Sequence, residues 1–187
     1  MLLASEIAGS YDSLLHEADS FAGSLKQYLG SEEAHTAARG LAEHLKDSEH
    51  VFLLGRGQHY YIALEAALKL KETTYVHAEG FAAGELKHGV IALIEKGTPV
   101  IVFAADDEHR QDILSAAAEV KARGAYVIGV AEDRNELFDM FVPVAGNGRF
   151  SALASVLPMQ LTAYELAIGL GLPPDKPRNL AKSVTVK

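Results

Sequence analysis

Val51-Phe52-Leu53-Leu54-Gly55-Arg56-Gly57 is the stretch that decides the fold. Four apolar residues without polar alternation are the pattern of a strand buried on both faces, as in a parallel sheet. The Gly-x-Gly after it reads as a tight turn into a helix over about His59 to Thr74. There Ile62, Ala63, Leu64, Ala66, Ala67, Leu68 and Leu70 are apolar on most sides, which predicts burial. Downstream the alternation repeats. Pro99 to Ala104 is a second strand, and Asp106-Asp107-Glu108 opens a helix over about His109 to Arg123, closed by Gly124. Tyr126 to Val130 and Met140 to Val144 are two more strands. A last apolar helix runs over about Ala152 to Leu170, with Pro158 predicting a late start or a kink. The stretch His77 to Gly89 reads as irregular.

Strands alternating with helices predict a three-layer α/β fold, a parallel sheet with helices on both faces, of the flavodoxin or Rossmann-like kind. In such sheets ligands sit at the carboxyl ends of the strands. Those ends are Gly55 to His59, Ala104 to Glu108, Ala131 to Arg134 and Ala145 to Phe150. Upstream, Ile7 to Leu29 and Ser31 to Lys46 are helical by pattern, with no strand between them. They are expected to form a packing arm, for instance against a partner subunit. The chain thus reads as one domain over 1–187, with a helical arm (1–47), an α/β core (48–172) and a tail (173–187) that docks or frays.

Composition excludes several classes. In 187 residues there is no cysteine, so disulfides, thiolate zinc sites and cysteine nucleophiles are out, and a reducing cytoplasm is a compatible setting. The 17 basic against 25 acidic residues give a net charge of −8, which disfavours general nucleic-acid binding. No apolar run approaches the roughly 20 residues a membrane helix needs. No basic segment precedes the few apolar residues at the start, so no signal peptide is expected.

Several motifs fail on inspection. Gly55-x-Gly57 resembles a dinucleotide loop, but Tyr60 stands where the third glycine belongs, so no nicotinamide cofactor is expected. The loop's backbone N–H groups could still face a ligand. Glu85-x-x-His88 lacks a second such pair elsewhere, so no metal is expected. More informative are Glu65, Lys69 and Glu72, which fall on one helical face at spacings of four and three. They form either a solvated salt-bridge stripe or a charged row facing a cleft. In the second case Lys69 would hold an anion or orient Glu72, and Glu72 would act as a base on a carbon acid. His88 between Gly84 and Gly89, and Lys182 in the tail, are residue types that aldose–ketose chemistry uses. That reaction needs a ring-opening acid or base, a base between adjacent carbons, and a cation near oxygen.

The residues over 55–72, the run His77-Ala78-Glu79-Gly80-Phe81-Ala82-Ala83-Gly84-Glu85-Leu86-Lys87-His88-Gly89 and the tail Pro177-Arg178-Asn179-Leu180-Ala181-Lys182-Ser183-Val184-Thr185-Val186 together resemble a known family. It is the SIS (sugar isomerase) domain family, and within it the last SIS domain of the glucosamine-6-phosphate synthases, the glutamine–fructose-6-phosphate transaminases. The resemblance covers the chain from Val51 onward. It implies a hexose-6-phosphate as partner, a homodimer or larger homo-oligomer, and pairing with a first SIS domain and a glutaminase domain. It implies that Glu72 moves the proton between C1 and C2 and that Lys69 assists beside it. His88, delivered by a neighbouring subunit, would open the ring, Lys182 would form a Schiff base with the open ketose, and Glu65 would lie nearby. Gly55, Arg56 and Gly57 are expected near the substrate.

The sequence also departs from that family. Without cysteine it cannot supply the glutaminase nucleophile, and the Ser/Thr-rich phosphate loop of the first SIS domain has no counterpart. The acidic stretch Ala104 to Glu108 would repel a phosphate instead. Three functions therefore stay open: the isomerase half of a synthase, a free-standing phosphosugar isomerase, or a non-catalytic sugar-phosphate-binding module.

Overall fold

The computed structural model describes residues 9–145 and 148–180. Two helices lead, α1 (Tyr11–Leu29) and α2 (Glu32–Leu45). Strand β1 (His50–Gly55) feeds α3 (Gln58–Thr74) and then β2 (His77–Ala82). Two 3₁₀ turns, Ala83–His88 and Val90–Leu93, lead to β3 (Pro99–Phe103). The chain continues through α4 (Arg110–Lys121), β4 (Tyr126–Ala131), β5 (Met140–Pro143) and α5 (Ser151–Gly169). The five strands form one all-parallel sheet in the order β2-β1-β3-β4-β5.

The period of two in β1 divides the core. Val51 and Leu53 point to one face, with Leu41 and Leu45 of α2, Ala63 and Leu70 of α3, and Met159 and Leu166 of α5. Phe52 and Leu54 point to the other, with Ile113, Ala117 and Val120 of α4 and Leu86 of the first 3₁₀ turn. Each such leucine contributes about 1.5–3 kcal/mol by leaving water.

Two details depart from the sequence reading. The stretch read as irregular contains β2, an edge strand paired in parallel with β1 from His50↔His77 to Gly55↔Ala82. Its half-exposed side chains, Glu79 among them, give no continuous apolar run. And α2 is not a free arm: Ala38, Leu41 and Leu45 are fully buried against the core. It starts where Ser31 Oγ accepts from the Ala34 N–H at 3.2 Å, with Glu32 and Glu33 in the first turn of the helix. The last helix starts at Ser151 and runs unbroken through Pro158. None of the described helices is long and apolar enough to cross a membrane.

From β1 the chain steps outward to β2, then back across β1 to β3. The carboxyl ends of β1 and β3 thus flank the switch point of the sheet.

Candidate functional site

The charged row is real and lies along α3. Lys69 Nζ is 2.7 Å from Glu72 Oε2 and 3.6 Å from Glu65 Oε1. Helical spacing puts the three side chains on one face, and each is partly exposed. The hydrogen bond to Glu72, reinforced by Glu65, raises the Lys69 ammonium above its ordinary value, although partial burial opposes this. Lys69 is therefore a fixed cation that grips one oxygen of the Glu72 carboxylate. Thr73 Oγ1 donates to the Lys69 carbonyl at 2.8 Å, which ties the row's turn together.

The row faces outward rather than into a cleft of this chain. Tyr61, Leu64 and Leu68 are exposed beside it on the same helix, as are Tyr164 and Ile168 on neighbouring α5. A cavity of about 640 Å³ lies at the other end of the sheet, under the amino ends of β1, β2 and β3. It is lined by His50, His77, Ala92, Leu93 and residues 95–99 among others and holds no member of the row.

His88 lies on the first 3₁₀ turn, strongly exposed, with Nδ1 3.1 Å from Glu85 Oε2. The fold thus brings together Glu65, Lys69 and Glu72, and places His88 on a separate element, paired with Glu85. Lys182 lies outside the described residues.

The Gly55–Gly57 turn is tight, and it is filled. A Cβ on Gly55 would stand 2.0 Å from the His59 carbonyl oxygen, so only glycine lets α3 start this close to the strand. Gly57 has φ 57, and a Cβ there would meet the His109 ring at 2.5 Å. The His59 N–H donates to the Arg56 carbonyl at 3.0 Å, and Tyr60 N–H to that of Gly57 at 3.3 Å. Those two amides serve the turn. Arg56 Nε pairs with Asp112 Oδ2 at 3.0 Å.

Sequence reading missed a second cluster at the switch point. His59 is buried, with Nδ1 3.4 Å from Asp107 Oδ2 and Nε2 3.3 Å from Ser155 Oγ. Burial lowers its pKa, against the opposing pull of Asp107. A cavity of about 230 Å³ beside it is lined by Gln58, His59, Asp107, His109 and Arg149 among others. Only the placement of His59 four residues after the strand-ending Gly55 hinted at this. Nearby, Glu132 accepts from the Asp106 N–H at 3.1 Å, and burial raises its carboxyl. Asp106, Asp107 and Glu132 lie together at the carboxyl end of the sheet, with Arg110 beside Glu132 and Arg149 in the adjoining cavity. No group of three or more potential metal-ligating side chains occurs among the described residues.

A family model described as the SIS domain matches residues 44–169. Glutamine–fructose-6-phosphate aminotransferase (isomerizing) of Methanosarcina acetivorans is 46% identical over 170 residues, 88% of this chain and 27% of that protein. The enzyme of the same name from Streptococcus pneumoniae strain R6 is 45% identical over 175 residues, 93% of this chain and 29% of that one. The chain therefore spans under a third of these relatives' length. Among solved structures, the C-terminal domain of glucosamine-fructose-6-phosphate aminotransferase from Francisella tularensis superposes with a TM-score of 0.75 at 36% identity, over 92% of this chain and 48% of that one. A glucosamine-6-phosphate deaminase from Thermotoga maritima does so at 0.69 and 30%, over 97% and 52%. Sheet order, helix layers and these matches agree: the chain belongs to the SIS domain family and corresponds to the C-terminal SIS domain of the isomerizing glutamine–fructose-6-phosphate aminotransferases.

Proposed function

We propose that this domain carries the isomerase chemistry of a hexose-6-phosphate, with Glu72 as the base. The observation that carries the reading is the Glu65–Lys69–Glu72 row on α3, with Lys69 Nζ 2.7 Å from one Glu72 oxygen. Lys69 engages Oε2 and leaves Oε1 to take a proton from C1 of the open ketose and return it at C2. A carboxylate suits this shuttle, and a fixed ammonium beside it stabilises negative charge developing on the sugar oxygen. Lys182 supplies an amine to the C2 carbonyl and water leaves; the imine holds the sugar in its open form, and water or ammonia then adds at C2 and releases the Lys182 amine before Glu72 moves the proton from C1 to C2. His88 opens the sugar ring of a neighbouring subunit's substrate, which fits its exposure on a turn outside the row's helix.

The row's outward face supports a shared site. A base works best where water is excluded, and here the exposed Tyr61, Leu64 and Leu68 await a cover. A first SIS domain or a second copy of the chain would close the site and bring a phosphate anchor. The isolated-domain reading and the free-standing isomerase part on one experiment. A thermal-shift titration with fructose-6-phosphate, with inorganic phosphate as control, reads whether this chain holds the sugar alone. A ligand at 100 times its Kd stabilises by about 2.7 kcal/mol. We expect no saturable shift with the chain alone and a clear one beside a supplied first SIS domain. A full shift with the chain alone favours the free-standing isomerase.

A further inference from the structure

Glu85 and His88 share the first 3₁₀ turn, Ala83–His88, and His88 Nδ1 lies 3.1 Å from Glu85 Oε2. In a 3₁₀ turn side chains three positions apart eclipse, so the backbone itself aims both groups the same way. The turn is pinned on its other side. Leu86 and Ala83 are buried in the second core layer, with Ile113, Ala117 and Val120 of α4. Lys87 Nζ pairs with Glu119 Oε1 of α4 at 2.9 Å, so the neighbouring cation is taken and Glu85 is left to His88. The carboxylate thus occupies Nδ1, and among the described residues nothing is paired with Nε2.

We propose that Glu85 is the positioning residue of His88: its carboxylate accepts from Nδ1–H and so leaves Nε2 as the lone pair that opens the sugar ring. The proposal rests on the reading of His88 as the ring-opening group and deepens it. That step needs one base that then becomes the acid. Nε2 takes the proton of the C2 hydroxyl of the fructofuranose. The C2–O5 bond breaks as the C2 carbonyl forms, and Nε2–H gives the same proton to O5. The proton has moved from O2 to O5, and the ring is neutral again. Two things limit this cycle. An unguided imidazole carries its proton on either nitrogen, and the Nε2–H form cannot accept. The intermediate imidazolium is a cation, and a carboxylate at Nδ1 stabilises it. On an open surface such an ion pair is worth little. Its value rises when a neighbouring subunit covers the turn and lowers the local dielectric. The Glu85-x-x-His88 spacing, too sparse for a di-metal site, suits such a pair.

The pairing is read first in the chain alone, without sugar. Long-range proton–nitrogen NMR at about pH 9, well above the ordinary histidine value of about 6.5, shows which ring nitrogen carries the proton. His88→Gln removes one of the eight histidine patterns and so assigns it. The parent is expected to carry Nδ1–H. Glu85→Ala is expected to revert to the Nε2–H form that a free imidazole side chain favours, and Glu85→Asp to return toward Nδ1–H. The Glu85 side chain is 66% exposed, so Glu85→Ala leaves the melting midpoint in place. Parent His88 carrying Nε2–H, or a Glu85→Ala chain with the parent's tautomer, overturns the proposal. The consequence is read beside a supplied first SIS domain, by deuterium exchange at C1 of two sugars. Fructose-6-phosphate must open before it exchanges, whereas 5-deoxyfructose-6-phosphate has no O5 to close on and is open already. Glu85→Ala slows exchange of fructose-6-phosphate by about tenfold or more and spares the 5-deoxy sugar, while Glu72→Gln stops both. Equal slowing of both sugars by Glu85→Ala, or no slowing of fructose-6-phosphate, overturns the role in ring opening. A parent that exchanges neither sugar removes the isomerase reading and the ring-opening role with it, while the tautomer still judges the pairing.

Discussion

Replacing Gly55 by alanine tests the junction on which the whole α3 site is mounted. The added Cβ would stand 2.0 Å from the His59 carbonyl oxygen, 2.3 Å from its carbon and 2.6 Å from the Tyr60 nitrogen. All three are backbone atoms, so no side-chain rotation relieves the clash. The first turn of α3 must withdraw by more than about 1 Å to restore van der Waals separation. That shift loosens the packing of Ile62 and Ala63 on the sheet and the buried His59–Ser155 contact at 3.3 Å. Overpacking of a well-filled core costs up to about 3 kcal/mol. For a domain of this size that lowers Tm by about 6–12 °C. Circular dichroism melts of Gly55→Ala and Gly84→Ala measure it. At Gly84 the added Cβ meets nothing nearer than Arg56 Nη1 at 3.7 Å, an ordinary contact, so that variant should melt within about 2 °C of the parent. Equal melting of Gly55→Ala and the parent would refute the reasoning, because it would mean that α3 does not start against the strand end as described.

Three further outcomes follow from the same structure. Leu41→Ala should destabilise by about 2–5 kcal/mol in denaturant unfolding, because Leu41 is fully buried, while Leu15→Ala on exposed α1 should cost little. That contrast separates a core layer from an arm. Stability should fall as the pH drops below about 6.5, the ordinary histidine value, toward the lowered folded value of His59. Burial first of all depresses that value, so the unfolded chain binds the proton more readily and acid favours unfolding. His44, lowered by burial too, contributes in the same direction, so the His59 share is read in a His44→Gln background by pH-dependent melts. Lys182→Ala should abolish any borohydride-trapped adduct with fructose-6-phosphate, read by mass spectrometry.

The fold was legible where burial writes itself into composition. Val51 to Leu54, Pro99 to Phe103 and Val127 to Val130 are buried on both faces, so their apolar runs announce a parallel sheet. Edge strand β2 was not legible, because Glu79, Gly80 and Phe81 are half-exposed and carry no β-branched signature. Amphipathic α2 looked like an arm, since its apolar face does not say whether this chain or a partner covers it. The charged row was legible because α3 itself fixes the spacing of Glu65, Lys69 and Glu72. The His59–Asp107–Ser155 cluster was not, because its members lie 48 apart in sequence and more, and only the folded sheet makes them neighbours. The same holds for the Arg178 backbone N–H, which donates to Tyr75 Oη at 2.9 Å: the tail's return to the end of α3 is a tertiary fact.

The central claim is that Glu72 moves the sugar's proton. The direct measurement is deuterium exchange at C1 of fructose-6-phosphate in D₂O, followed by NMR, with the chain beside a supplied first SIS domain. Glu72→Gln keeps shape and hydrogen bonding but cannot accept the proton. The account predicts exchange by the parent and a loss of about 10²–10⁴-fold in Glu72→Gln with sugar binding retained. Exchange by Glu72→Gln at the parent's rate would contradict it.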